Sequence, residues 1–153
     1  MRTKLSWATV AALCFCATAS LASSNDRPGT IAELSHGYLR QWSFAGRDAL
    51  QTVNQAYAPR VLFYGRVLAR EQLYREKLRF IRRWPVRHYV LRPETVRVSC
   101  PTSASCRVSG IMDWRVERNA RVARGSSTFV QGFSLSPGPQ IVSESGRVLA
   151  RSR

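Results

Sequence analysis

RFIRRWPVRHYVLRP, residues 79–93, is the stretch in which the chain changes its period. Up to Trp84 the apolar residues recur at helical spacing. Leu73, Leu78, Ile81 and Trp84 fall on one side of a predicted helix over 70–84, with Arg75, Arg79, Arg82 and Arg83 toward the other. Pro85 has no amide hydrogen to give a helix and stops it. Beyond Pro85 the pattern becomes one of alternation broken by turn residues, which predicts strands over 86–91, 95–100, 106–117, 121–135 and 141–151.

The same stretch holds five arginines around Trp84, His88 and Tyr89. Arg75, Arg79, Arg82, Arg83 and Arg87 are therefore candidate ligands for an anion, since guanidinium forks match phosphate and carboxylate and Trp84 can supply a stacking face. Against this, Trp84 falls with Ile81 on the apolar side, Glu71 and Arg75 form an i,i+4 pair, and cations suit a helix C-terminus. The stretch is read first as a solvated helix end and second as a binding patch.

Upstream, Thr30 and Glu33 have the spacing of a capping box, and Ile31, Leu34, Tyr38 and Trp42 follow at helical intervals despite Gly37. Ser43 is placed to cap a second helix carrying Phe44, Leu50, Val53 and Tyr57, which Pro59 ends. RVLFYG, residues 60–65, is short, apolar and β-prone. Helices, a short strand, a helix and then a strand meander describe an α+β domain, with N-terminal helices packed on one face of a mainly antiparallel sheet.

Residues 1–24, MRTKLSWATVAALCFCATASLASS, have a basic start, an apolar run and small residues at two cleavage positions, as a secretory signal peptide does. The sites precede Ser20 and Ser23, and the second is preferred. The apolar run is well short of the roughly 20 residues that span a bilayer. Bulky Leu13 and Phe15 before Cys14 and Cys16 argue against a lipid anchor. Removing 22 of the 153 residues leaves 131, a flexible lead over 23–29 and one domain over 30–153, with no membrane span expected.

Cleavage leaves Cys100 and Cys106, and export puts that pair where disulfides persist. They flank the five turn-prone residues PTSAS between two strands, so a hairpin brings them within reach of each other. With no clustered histidine, a metal site is not expected. The net charge of +15 falls to about +13 as Arg2 and Lys4 leave, and Lys77 becomes the only lysine. Such a charge suits polyanions. For an exported chain these are envelope phosphates and acidic polymers rather than nucleic acid, and arginine serving as the ordinary surface charge is the preferred reading.

YAPRVLFYG (57–65), a helix ending in RWPVRHYV and a strand meander resemble the nuclear transport factor 2-like superfamily over residues 30–151. RVLFYGR, RRWPVRHYV and SESGRVLAR look more narrowly like segments of exported bacterial members without assigned activity. The resemblance implies a cone, with helices across a strongly curved antiparallel sheet enclosing a pocket, and a homodimer paired through the exposed sheet face. It implies isomerase, cyclase or dehydratase chemistry in some members and only binding in others, and no catalytic motif can be carried over.

A pocket enzyme needs a base and donors aimed at the developing oxyanion. The candidates are His88, Tyr64, Tyr89, Asp113 and Glu144. On strand 106–117, Val108, Met112, Trp114 and Val116 share the face expected to meet the helices, which turns Asp113 outward to pair with an arginine. His88 shares a face with Val86 and Val90 and is expected inward, as a wall residue before a base. Tyr64 and Tyr89 are read as packing first, and Glu144 as the partner of an arginine across the sheet. The expectation is an exported, periplasmic or secreted, non-enzymatic protein that binds a small apolar ligand or a partner without a cofactor. A pocket enzyme, or an envelope adaptor holding anionic polymers or a secretion assembly, is the alternative.

Overall fold

A computed structural model describes residues 27–44 and 48–152. The expected signal peptide and most of the expected lead lie outside the described residues. Helix α1 (Arg27–Trp42) is already helical three residues before Thr30, so part of that lead belongs to the helix. Its buried face is Ile31, Ser35, Tyr38, Leu39 and Trp42, whereas Leu34 is exposed. Helix α2 (Asp48–Ala56) buries Ala49, Leu50 and Val53. Ser43 does not cap it: its hydroxyl accepts from the Tyr89 amide at 2.9 Å, tying the end of α1 to the sheet.

Tyr57 is not helical but opens strand β1 (Tyr57–Phe63), opposite Ile141, and Pro59 lies within that strand where its register to β7 is irregular. A proline is tolerated where no ladder bond is made. Tyr64 and Gly65 then turn the chain with positive φ at both residues (48° and 80°), the backbone of a tight hairpin, into β2 (Arg66–Ala69). This second strand was not legible in the sequence.

Helix α3 (Arg70–Arg83) buries Leu73, Lys77 and Ile81 at four-residue spacing. The Gln72 side chain accepts from the Ala69 amide at 2.8 Å at its start, and Arg82 and Arg83 occupy its last turn. After Pro85 come β3 (Val86–Leu91), a short 3-10 turn (Pro93–Thr95), β4 (Arg97–Thr102), β5 (Ser105–Arg118), β6 (Arg121–Ser134), β7 (Gln140–Ser145) and β8 (Val148–Ser152).

Among the described residues the sheet order is β2-β1-β7-β6-β5-β3, with β4 also on β5 and β8 also on β6. Of these described strand pairs only β1–β7 is parallel. The result is the expected α+β architecture: three helices packed on a curved, mostly antiparallel sheet. β5 and β6, fourteen residues each, form its spine. Val108 and Val116 of β5 and Phe129, Gln131 and Phe133 of β6 are buried against the helices, and the Ser35 hydroxyl satisfies Gln131 at 2.6 Å. Cys100 and Cys106 are joined as a disulfide across the β4–β5 hairpin.

Gly146 shapes the wall where β7 gives way to β8. A Cβ there would lie 2.2 Å from the Thr128 carbonyl oxygen, so only glycine lets the chain pass that close to β6. Thr128 donates its amide to the Arg147 carbonyl at 2.9 Å and its hydroxyl oxygen accepts the Arg147 amide at 3.0 Å.

Candidate functional site

Between the helices and the curved sheet lies a cavity of about 500 Å³. That volume is within the range of small-molecule sites. Its walls are largely apolar and aromatic: Trp42 from α1, Phe63 from β1, Tyr89 from β3, and Met112 and Trp114 from β5. Phe80 of α3, Trp84 just after it, and Arg147 and Arg151 stand at the exposed side.

One polar cluster sits at the buried end. Lys77, reaching from the apolar stripe of α3, donates to both carboxylate oxygens of Glu144 at 3.2 Å. The Tyr57 hydroxyl donates to Glu144 Oε2 and is hydrogen-bonded to the Tyr38 hydroxyl, which lies 3.4 Å from the same oxygen. Glu144 is fixed from behind by its backbone, since its carbonyl accepts the Tyr64 amide at 2.9 Å across β1 and β7. The Lys77 ammonium also sits over four rings, with centroids at 4.6 Å (Trp42), 5.0 Å (Phe63), 5.3 Å (Tyr57) and 5.6 Å (Tyr38). Ring faces carry negative charge density, so this cage compensates an ammonium withdrawn from water.

Burial is the main influence on the lysine and on the two tyrosines of the cluster. It pulls the Lys77 ammonium below the usual lysine range, with the Glu144 charge acting in the opposite direction. It pushes the Tyr38 and Tyr57 phenols well above theirs, and the Glu144 charge adds to the shift. Tyr64 is raised to about 12 and Tyr89 is raised further, again mainly by burial. Two phenols that stay protonated and the Lys77–Glu144 pair leave this end of the cavity polar.

No protein-family profile and no curated protein sequence matches the chain. Solved structures do match. A Streptomyces avermitilis protein provisionally named a dehydratase of the nuclear transport factor 2-like family superposes with a TM-score of 0.67 at 13% identity, covering 82% of this chain and 99% of its own. This chain has the nuclear transport factor 2-like fold. A Novosphingobium aromaticivorans protein, provisionally named a scytalone dehydratase, gives 0.66 at 7% identity over 84% of this chain and 86% of that one. The association domain of Caenorhabditis elegans CaMKII gives 0.61 at 12% identity over 80% and 95%. Such low identities carry the fold and no activity.

Within this nuclear transport factor 2-like cone the sequence candidates part company. Tyr64 and Tyr89 line the cavity as aromatic walls. Glu144 lines it too, but its partner is Lys77 and not an arginine across the sheet. His88 is a correction: it faces outward, with Val86 and Val90. β3 pairs Arg87 with Val116, Tyr89 with Trp114 and Leu91 with Met112, so those residues share the inner face, and His88 stands opposite outward Arg115. Asp113 is outward as expected and pairs with Arg92 at 2.8 Å, which holds its carboxyl below the usual range.

Arg87 is the second correction. It is 1% exposed and donates to the carbonyls of Trp42 (3.1 Å), Trp84 (2.7 Å), Pro85 (3.0 Å) and Phe44 (2.7 Å). It joins the ends of α1 and α3 and is not a surface ligand. Arg75, Arg79, Arg82 and Arg83 are exposed. The ion pair on their helix is Arg79 with Glu76 at 2.8 Å, not Glu71 with Arg75. Trp84, expected in the core, is half-buried at the cavity with Arg83 5.8 Å from its ring.

The residues that sequence reasoning missed are Tyr38, Tyr57 and Lys77. Lys77 had one legible signal: a lysine between Leu73 and Ile81 at four-residue spacing sits on the stripe a helix buries.

Proposed function

We propose that this protein is an exported binding protein whose cone takes up one small, mainly apolar molecule bearing a single polar group. The carrying observation is the cavity itself: aromatic walls around about 500 Å³, closed at one end by the Lys77–Glu144–Tyr57–Tyr38 cluster. The walls supply burial, and the polar end orients the ligand. The carboxylate is already engaged by Lys77 and a tyrosine, which favours holding a ligand over turning one over. Export is supported by the leader-like residues 1–22 and by the Cys100–Cys106 disulfide. Pairing through the outer sheet face belongs to the same proposal, and a single-copy mass in solution overturns that part.

The test is titration with the neutral fluorophore N-phenyl-1-naphthylamine. One saturable site is expected, changing little between about 50 and 500 mM salt because no long-range charge attraction draws the probe in. Met112→Trp, which places a larger side chain in the wall, should abolish it. Absence of saturation, or equal binding by the variant, overturns the reading. Binding of an acidic polymer that vanishes with salt would instead favour the exposed Arg75, Arg79, Arg82 and Arg83. The pocket-enzyme alternative keeps one favourable observation, a carboxylate inside an apolar cavity, and requires turnover that Glu144→Gln abolishes.

A further inference from the structure

The chain has 22 arginines and two lysines, Lys4 and Lys77. Beyond residue 22 every cationic side chain of this kind is arginine except the one inside the cavity. Arginine binds anions well but does not lose its proton in proteins, so an amine that can act as a nucleophile has to be lysine. Lys77 is 9% exposed, lines the cavity, and has a carboxylate against its nitrogen and aromatic rings around it.

Geometry, and not charge alone, sets this site apart. Lys77 Nζ lies 3.2 Å from each Glu144 oxygen, near enough for a proton to pass in either direction. Tyr57 and Tyr38 bond on Oε2 alone, whereas Lys77 bonds to both oxygens. Oε2 is therefore held by the tyrosines as well as by the amine, while Oε1 bonds to the amine. The walls around the amine are aromatic, and an apolar surrounding favours condensation of an amine with a carbonyl over hydrolysis of the product.

We propose that Lys77 captures a small aldehyde or ketone in the cavity as a reversible Schiff base, with Glu144 carrying the proton. The Glu144 carboxylate accepts a proton from the ammonium, and the freed lone pair of Nζ attacks the carbonyl carbon to form a C–N bond. The carbonyl π pair moves to oxygen, which takes up one of the protons on the now positively charged nitrogen, giving a neutral carbinolamine while Glu144 stays protonated. The Glu144 carboxylic acid then protonates the carbinolamine hydroxyl, which leaves as water while nitrogen closes the C=N bond. Ammonium and carbonyl have become iminium and water, with charge conserved and no oxidant or reductant consumed. Burial already tips Lys77 toward its neutral form.

This inference rests on the ligand-binding reading, specifying the ligand as a carbonyl compound. The experiment exposes the full chain to 6-methoxy-2-naphthaldehyde, reduces with cyanoborohydride, and locates the adduct by intact mass and peptide mapping. Hydride delivered to the iminium carbon fixes the link as a secondary amine. One adduct on the peptide carrying Lys77 is expected, suppressed by excess 2-methoxynaphthalene, which fills the cavity without a carbonyl. Lys77→Arg should lose the adduct, and Glu144→Gln should slow its formation by roughly 10²-fold, the lower range for a positioned acid–base group. The map of the unmodified chain decides the matter even if either variant fails to fold. Modification confined to the N-terminal amine or Lys4, or a Lys77 adduct indifferent to the competitor, overturns the inference. If 2-methoxynaphthalene binds but no Lys77 adduct forms, the inference alone falls; if it does not bind, the binding reading falls with it.

Discussion

Replacing Arg87 by methionine separates a structural arginine from a ligand-binding one. Methionine keeps much of the aliphatic stem and removes every donor. Four carbonyls then lose a charged partner: Trp42 at the end of α1, Trp84 just after α3, Phe44 and Pro85. An acceptor left buried without a partner costs about 1–3 kcal/mol. The bond to Trp42 is fully buried, and those to Phe44, Trp84 and Pro85 are only partly so, which lets water replace some of their loss. The guanidinium also sits at the negative ends of two helix dipoles, and that attraction disappears as well. Together these give about 3–5 kcal/mol, a large share of the 5–15 kcal/mol that stabilises a typical domain. The corresponding drop in Tm is about 10–20 °C for a chain of this size. Urea unfolding followed by tryptophan fluorescence measures it, with exposed Arg83→Met as the comparison, expected within about 0.5 kcal/mol of the parent. Arg87→Lys should fall between the two, because one ammonium cannot span four carbonyls. A loss below about 0.5 kcal/mol for Arg87→Met, or an equal loss for Arg83→Met, would refute the assignment.

The buried tyrosines predict how stability responds to alkali. Tyr38 and Tyr57 have folded pKa values raised above the unfolded value, so their contribution is intact below about pH 10 and is lost as pH rises beyond it. Lys77, lowered by burial, acts in the other direction: its penalty is relieved as pH rises from its folded value toward about 10.4. The urea midpoint should therefore hold or rise up to about pH 10 and fall above it, with the tyrosinate absorbance of Tyr38 and Tyr57 appearing only on unfolding. Ionisation of both near pH 10 in the folded chain would contradict this. Two glycine substitutions should have opposite signs. Gly146→Ala forces a backbone clash and is expected to destabilise by about 1–3 kcal/mol and weaken cavity binding, whereas Gly37→Ala in α1 meets nothing within 4 Å and should stabilise by about 0.5–1 kcal/mol. Equal thermal shifts for the two would count against the close approach at Gly146.

How far the sequence could be read depended on how local the deciding physics was. Pro85 ends α3 through its own missing amide hydrogen, and the alternation of β5 turns Asp113 outward because Val108 and Val116 need burial. Both facts lie within a few residues of chain. β3 offers no such information: Val86, His88 and Val90 on one face and Arg87, Tyr89 and Leu91 on the other are each partly apolar. What decides is the register of β3 against β5, which sets Arg87 opposite Val116, and the helix ends that give a buried guanidinium four acceptors. Hydrophobicity favoured the wrong face because it charged Arg87 the full cost of burial. Only the assembled fold repays that cost.

The cavity cluster was hidden for a related reason. Tyr38, Tyr57, Lys77 and Glu144 come from α1, β1, α3 and β7, and the hydrogen bonds among them span up to 106 residues of sequence. No spacing rule joins them. Three of the four are nevertheless local oddities: Tyr38 and Lys77 put polar ends on buried helix stripes, and Tyr57 lies at a helix-to-strand junction. A lysine on a buried stripe must find a counter-charge or lose its proton. In a chain that uses arginine for nearly every other cation, that position was the legible trace of the site, and the fold supplies Glu144 as its answer.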